Sequence, residues 1–287
     1  MRFPRRAAAM LPLLMIGAVA VHLGTAKADD DHTINTTNTA SNMALGSGGA
    51  AQPQTMEEFL TAVTKDVDTY WTKVFKDNGL PEPRVSYAWI PEGQTAASAC
   101  GDANGGEMGD SAAAYCLADD TIYISEKFAS DVFNGSLDSQ LPGSSQGYGK
   151  TSGDFAVAYM VAHEYGHQVQ SELGLYDKYG SELPTMDFEL QADCYAGTWA
   201  KDANDRGELD DGDVDEALNA ALAVGDFDTS NPGHHGTPDQ REQAWTTGFQ
   251  AGDPSSCDQF LDADNGSGDG TSAEPDPTYG LAETLRS

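Results

Sequence analysis

Basic residues are scarce in this sequence. Its 287 residues include 15 Lys and Arg against 46 Asp and Glu, which gives a formal net charge of −31 at pH 7. Nucleic acids and anionic lipid surfaces bind proteins through clustered Lys and Arg, and no segment of this chain is basic enough to offset its charge. We therefore expect no nucleic-acid partner. The acidic surface favours solubility and does not by itself identify a substrate.

Long hydrophobic runs are lacking beyond the first part of the chain. Three arginines within the first six residues are followed by an apolar stretch at about 7–23 and by the small residues of AKA at 26–28. This order is typical of a cleaved export signal, and we interpret residues 1–28 as a signal peptide. The alternative is an uncleaved anchor, but the apolar stretch is short for a membrane span. We expect a secreted or extracytoplasmic protein without membrane attachment after cleavage.

Cysteines are few, and none lies in a CxxC pair, which disfavours a zinc site made of cysteines. The four are Cys100, Cys116, Cys194 and Cys257. An even number in an exported chain indicates disulfides, with three possible connectivities. We favour Cys100–Cys116, which would close a local glycine-rich loop, and Cys194–Cys257, which would join the end of the domain to its middle.

One folded domain is expected between two low-complexity flanks. Residues 29–54 are polar and rich in Gly, Ser, Thr and Asn, which is typical of a disordered linker. The domain is predicted over 55–262, and 263–287 is predicted to be a flexible acidic tail. We expect a monomer.

Hydrophobic periodicity within the domain predicts more helix than strand. A helix is expected to start at Thr55, whose side chain can cap it, and to end before Gly79 and Pro81. VSYAWI alternates like a strand, and AAYC and TIYIS flank LADD like the arms of a hairpin. The other predicted helices lie near 126–133, 155–173, 184–204, 213–224 and 237–250. The fold class is therefore α+β: mostly helical, with a small antiparallel sheet packed beside the helix at 155–173.

The stretch VAHEYGHQVQ, residues 161–170, carries an HExxH motif. On a helix, residues four apart share one face, so His163 and His167 can direct imidazole nitrogens at one ion. Zinc suits two such nitrogens and an oxygen, with a fourth position left for water, and Glu164 can take a proton from that water. The alternative to a metal site is an ordinary helix with two histidines on its surface. The apolar, buried character of this helix favours the metal site, because unpaired buried histidines are costly.

The third ligand is expected on the next helix. A metzincin would have Gly and His at the positions that Gln170 and Leu173 occupy, so that class is excluded. In ELQAD, Glu189 and Asp193 are again four apart. Glu189 can complete the zinc ligands, and Asp193 can accept a hydrogen bond from the free N–H of a zinc-bound histidine.

At this point the chain resembles a known family, the bacterial neutral zinc metallopeptidases. The matching segments are VAHEYGHQVQ, ELQADCYAGTWA, DVDEALNAALAVGD, HGTPDQREQAW and AGDPSSCDQF, and the resemblance covers about residues 56–262. It implies a zincin-like fold, Glu189 as third ligand of one catalytic Zn²⁺ and the disulfide pairing favoured above. The resemblance indicates the chemistry of the site better than it indicates a biological role.

The expected function is hydrolysis of protein or peptide substrates by zinc-activated water, with Glu164 as general base. A second group should stabilise the oxyanion. His235 is the candidate, because it lies in the family segment HGTPDQREQAW, although a histidine there could equally belong to a turn or cap. Two alternatives stay open. One is a non-catalytic exported binding module, in which a fourth protein ligand such as His235 closes a structural zinc site. The other is zinc-dependent hydrolysis of a non-peptide bond.

Overall fold

A computed structural model describes residues 55–101, 106–180 and 182–261 of the chain. The predicted signal peptide (1–28), linker (29–54) and acidic tail (263–287) lie outside the described residues. No helix in the described ranges is long and apolar enough to cross a membrane.

The described residues form mainly helices, joined by short strands, and the predicted α+β class is confirmed. The α-helices are α1 (Met56–Asp77), α2 (Glu126–Phe133), α3 (Asp154–Glu172), α4 (Leu175–Tyr179), α5 (Thr185–Arg206), α6 (Asp213–Val224) and α7 (Pro238–Ala251). The strands are β1 (Ser86–Ile90), β2 (Ala96–Ala97), β3 (Glu107–Met108), β4 (Ala113–Cys116) and β5 (Thr121–Ser125), and 3₁₀ helices cover Ser144–Gln146 and Pro254–Leu261.

Helix starts follow their capping residues. The Thr55 hydroxyl accepts the backbone N–H of Glu58 at the start of α1. At the start of α7, Thr237 and Gln240 form a reciprocal capping box. The short helix α4 and the 3₁₀ helix at 254–261 were not predicted, because neither carries a recurring apolar face of its own.

Helix α3 runs through the centre of the domain. It packs against α1, α5 and α6, and nearly all of its residues are buried. Large aromatic rings fill the space around it: Phe155 of α3 stacks on Trp199 of α5, and Tyr195 meets Trp71 of α1 edge-on. A helix buried all round is held in place by its neighbours, which fixes the direction of the HExxH side chains.

Helices α5 and α7 approach each other closely at two glycines. A Cβ added to Gly248 would lie 1.9 Å from the Cys194 carbonyl oxygen, and one added to Gly197 would lie 2.1 Å from the Trp245 carbonyl oxygen. The absence of side chains at both positions therefore lets the two backbones touch, and it brings the face of α7 against α5.

The small sheet has the order β1-β5-β4. The predicted hairpin of β4 and β5 is antiparallel, with Cys116 opposite Thr121. Strand β1 lies parallel to β5, with Ser86 opposite Thr121, so the sheet is mixed and not purely antiparallel. The direction of β1 follows from the crossover between β1 and β5, which the alternation of side chains does not encode. Strand β4 is at the edge and lies beside α3.

Both expected disulfides are present. Cys100 is bonded to Cys116 with a Cα–Cα distance of 5.7 Å, and Cys194 is bonded to Cys257 with a Cα–Cα distance of 5.6 Å. The first ties the segment after β2 to the end of β4. The second ties α5 to the 3₁₀ helix at 254–261, directly beside Asp193.

Candidate metal centre

Helix α3 presents the two histidines of the motif towards α5. His163 Nε2 lies 3.2 Å from one carboxylate oxygen of Glu189, and His167 Nε2 lies 3.3 Å from the other. All three residues are buried, with 6–7% of their surface exposed. The structure therefore brings together the three residues that the i, i+4 spacing on α3 and the acidic pair on α5 had singled out.

The opposite nitrogen of each imidazole has a hydrogen-bond acceptor. His163 Nδ1 donates to Asp193 Oδ1 at 2.9 Å, as predicted for Asp193. His167 Nδ1 donates to the Gln170 side-chain oxygen at 2.9 Å. A proton held on Nδ1 leaves the lone pair on Nε2, which is the form that binds a metal. Gln170, which occupies the position of a metzincin glycine, thus orients the second histidine.

A buried arginine joins this arrangement and was not predicted. Arg241 of α7 is 3% exposed and forms a two-armed ion pair with Asp193, with Nη2 at 2.9 Å from Oδ1. Tyr159 donates to the same carboxylate at 2.6 Å. One sequence signal could have found Arg241: it lies four residues before Trp245, and a tryptophan usually marks the buried face of a helix.

The electrostatics of the group favour a positive charge between α3 and α5. Burial lowers the pKa of His163, but the carboxylates of Asp193 and Glu189 outweigh burial and raise that pKa to about 10. Burial raises the pKa of Glu189, but the two histidines outweigh it and hold the pKa well below its usual range. An enclosed group that stabilises a proton in this way also attracts a metal cation.

Glu164 follows His163 on α3 and lines the same cavity as the three candidate ligands. One of its carboxylate oxygens accepts the backbone N–H of Tyr115 on β4, at 2.8 Å. This hydrogen bond fixes one oxygen and keeps the carboxylate at the edge of the sheet. The free edge of β4 therefore has a direct role in orienting the glutamate of the motif.

His235 also reaches the cavity, from the turn before α7. Its backbone N–H donates to Asp226 Oδ2 at 2.9 Å, and its Nδ1 lies 3.5 Å from the same oxygen. The neighbouring His234 binds the other oxygen of Asp226 through Nδ1. Asp226, which the sequence did not indicate, therefore holds both histidines of the NPGHHGT turn. Burial raises the pKa of Asp226, but the hydrogen bonds from His235 and His234 outweigh burial and lower that pKa.

The cavity has a volume of about 310 Å³ and runs between β4, α3 and α6. One end holds His163, His167, Glu189 and Glu164. The other end is lined mostly by apolar side chains of α2, α3 and α6. The cavity is partly open, so the candidate metal ligands are accessible from solvent.

The donor set fits zinc. The candidate ligand atoms of His163, His167 and Glu189 all lie within 4.8 Å of one another, and they form a group that could hold a metal ion. Two imidazole nitrogens and a carboxylate oxygen, without a fourth ligand from the described residues in that group, match a zinc site with one open position. A second acidic group is formed by Asp154, Asp213 and Glu216 near the start of α3.

Comparison with known proteins identifies the family to which this chain is similar. The model of a family described as "Putative neutral zinc metallopeptidase" matches residues 6–260. The uncharacterized protein Rv2575 of Mycobacterium tuberculosis is 35% identical over 231 residues, which cover 72% of this chain and 71% of that protein. The uncharacterized protein YpfJ of Escherichia coli is 37% identical over 165 residues, which cover 51% of this chain and 53% of that protein. The chain thus spans about half the length of YpfJ. No solved structure gives a significant match.

Proposed function

Because the chain belongs to the neutral zinc metallopeptidase family, as its sequence motifs predicted, we propose that it is an extracytoplasmic zinc peptidase. The observation that carries the proposal is that three residues with metal-binding atoms and one further residue, the acidic Glu164, line the same open cavity. His163, His167 and Glu189 are the proposed ligands, and Glu164 is the proposed general base.

Zinc bound to these ligands would polarise the scissile carbonyl and lower the pKa of a water molecule towards neutrality. The protein's own part begins with Glu164. Its carboxylate takes a proton from the attacking water and delivers it to the leaving amine. The hydrogen bond from the Tyr115 N–H occupies one carboxylate oxygen and leaves the other for this transfer.

His235 is the proposed donor to the oxyanion. Its position in the cavity and the anchoring of its turn by Asp226 support this role. A group held in place before the reaction stabilises developing charge without the cost of reorganisation.

The geometry favours an open catalytic site over a closed structural one. A structural zinc needs four protein ligands. Within the described part of the chain, the group around Glu189 contains only three residues with suitable atoms. The cavity also gives access to these atoms, which a purely structural site does not need.

Export of the protein belongs to the same proposal. The two disulfides fit an oxidising compartment outside the cytoplasm. The proposed partners are protein or peptide substrates, and the proposed assembly is a monomer.

The test is cleavage of an unfolded protein by the zinc-loaded full chain. Glu164→Gln should abolish cleavage, because the amide cannot accept the proton. Glu172→Gln is the matched control: the same change on the same helix, at a residue whose side chain accepts the backbone N–H of Arg84. The control should cleave at the parent's rate. Equal cleavage by the Glu164→Gln variant would overturn the proposed role of Glu164.

A further inference from the structure

The cavity extends beyond the candidate metal ligands into an end with different chemistry. The ligand end contains histidines and carboxylates, whereas the far end, here called the apolar end, is formed by hydrocarbon side chains. Its principal residues are Phe128, Val132, Leu141, Met160, Ala220 and Val224. None of these side chains carries a charge or a hydrogen-bonding group.

The apolar end begins one helical turn from the ligands. Met160 precedes the candidate ligand His163 by three residues on α3, so their backbones are separated by about 4.5 Å along the helix axis. Ala156, a turn earlier, also lines the cavity. Neighbouring Cα atoms of a peptide are about 3.8 Å apart. A side chain that fills the apolar end therefore belongs to a residue directly beside the bond at the metal.

The walls of the apolar end are held together by the backbone. Gly143, which follows Leu141 and Pro142, donates its N–H to the Ala223 carbonyl at 2.9 Å. A Cβ on Gly149 would lie 2.2 Å from the Asn219 carbonyl oxygen, so this loop lies directly on α6. The pocket is thus formed before any ligand binds, which reduces the entropic cost of filling it.

An exposed aromatic pair lies near the cavity. The rings of Tyr148 and Phe227 are 5.3 Å apart, and the two residues are 41% and 47% exposed. Phe227 stands between Asp226 and Asp228, both of which line the cavity. Tyr148 belongs to the loop that supplies Leu141. Exposed aromatic rings beside an apolar cavity extend the surface on which an apolar ligand can bind.

We propose that the apolar end is a specificity pocket for a bulky apolar side chain, such as Leu, Met or Phe, in the substrate residue directly next to the scissile bond. This proposal rests on the proposed peptidase function and names the substrate class of the same site.

The lining excludes the other classes of side chain. A charged or amide side chain would lose its hydration there, and the six apolar residues named above offer it no strong hydrogen-bond partner, which is costly. Gly or Ala would leave most of the pocket unfilled and would gain little from burial. The acidic residues Asp226 and Asp228 line the cavity too and come from the segment after α6. The Asp226 carboxylate already accepts hydrogen bonds from His234 and from the His235 backbone N–H.

The test uses two probes: a disordered peptide of Gly, Ser and Ala that contains a single Leu, and the same peptide with Ala in place of Leu. The zinc-loaded full chain should cut next to Leu, and kcat/KM should exceed that of the Ala peptide by about tenfold or more. Val224→Phe should fill the pocket and bring the ratio of the two kcat/KM values near one. Asp215→Phe, on an exposed position of the same helix, should leave the ratio unchanged. Because each ratio is taken within one protein, a loss of folded fraction does not alter it.

A second measurement separates this proposal from the peptidase function. Binding of both peptides to the zinc-loaded Glu164→Gln variant is followed by calorimetry. Tighter binding of the Leu peptide supports the pocket even if the parent cleaves nothing, in which case only the peptidase proposal is overturned. Cleavage without preference, a preference that survives Val224→Phe, or equal binding of the two peptides would each overturn the pocket.

Discussion

At the scale of single residues, the candidate metal centre depends on groups that do not touch the metal position. Asp193 receives hydrogen bonds from His163 and Tyr159 and an ion pair from Arg241, all within the buried interior. Gln170 supports His167. Burial raises the pKa of Asp193, but Arg241 and His163 outweigh it and lower that pKa. Asp193 is therefore a charged carboxylate that fixes the tautomer of the candidate ligand His163.

Replacing Asp193 should weaken zinc binding without removing a ligand. In Asp193→Asn, Arg241 loses its anionic partner and His163 loses its charged acceptor, so zinc affinity should fall by about 10–100-fold. Competition with a chromogenic chelator measures the affinity. Asp202→Asn serves as control, because Asp202 lies on the same helix and its side chain pairs with the exposed Arg206. Unchanged affinity in Asp193→Asn would show that Asp193 does not support the ligand.

Asp226 should act through His235. Asp226→Asn loosens the turn that carries His235, so kcat should fall while KM changes little, as expected for a donor that acts in the transition state. His235→Ala should lower kcat by about tenfold or more. The double variant should be no slower than His235→Ala alone, because Asp226 acts only by positioning His235 and both changes therefore remove the same function. Full activity of His235→Ala would reject the donor role.

At the scale of elements, α3 is positioned by a carboxylate from another helix. Glu216 of α6 accepts the N–H of Phe155 at 3.0 Å in the first turn of α3. Burial, followed by the nearby charges of Asp154 and Asp213, raises the pKa of Glu216 to about 7, although the backbone hydrogen bond opposes this. The same carboxylate that caps the HExxH helix is thus costly to ionise.

This cost makes stability depend on pH. The folded-state pKa of Glu216 is above its unfolded value, so the folded state binds more protons between about pH 4.5 and 7. Its contribution to stability is therefore full below that window and is lost as pH rises through it. Glu216→Gln keeps an acceptor and removes the charge. After discounting for solvent screening, we expect a gain of about 1 kcal/mol at pH 8 and none at pH 4.

Thermal unfolding at both pH values measures this difference. Glu57→Gln, in the first turn of α1 and exposed, is the control and should show no gain at pH 8. A stability difference for Glu216→Gln that is independent of pH would contradict the account of the α3 cap.

The contact between α5 and α7 should not tolerate a methyl group. Gly248→Ala would place Cβ 1.9 Å from the Cys194 carbonyl oxygen, and neither backbone can move without shifting Arg241 or the disulfide. We expect a loss of about 3 kcal/mol or more in the free energy of unfolding, measured with denaturant. The control is Thr247→Ala on the same helix, which should cost about 1 kcal/mol or less. A stable Gly248→Ala protein would mean that the helices are further apart.

At the scale of the whole molecule, the Cys194–Cys257 disulfide closes a long segment. Its cysteines are 63 residues apart, and the segment contains α6, the turn with His235 and α7. The paired variant Cys194→Ala with Cys257→Ala should lose about 4 kcal/mol of stability. The pair Cys100→Ala and Cys116→Ala, with a separation of 16, should lose about 3 kcal/mol. Denaturant unfolding of the parent and of the two paired variants measures the two losses. Equal stability with and without the Cys194–Cys257 disulfide would contradict the prediction.

The sequence predicted those parts of the molecule that local spacing determines. His163 with His167, and Glu189 with Asp193, were found because residues four apart on a helix share a face. Arg241 was missed because it reaches Asp193 across 48 residues, and Asp226 was missed because its role depends on a turn. The parallel direction of β1 was missed for a similar reason, since it is set by the path of the chain between strands. The apolar end of the cavity combines three helices and a loop, so no single segment encodes it.

The most direct test of the central claim is the zinc content of three purified full-length proteins, measured by mass spectrometry after dialysis. The account predicts one zinc per chain in the parent and in Glu164→Gln, and none in His167→Ala, because His167 is a ligand and Glu164 is not. Retention of zinc by His167→Ala, or its loss from Glu164→Gln, would contradict the assignment of His163, His167 and Glu189 as the metal centre.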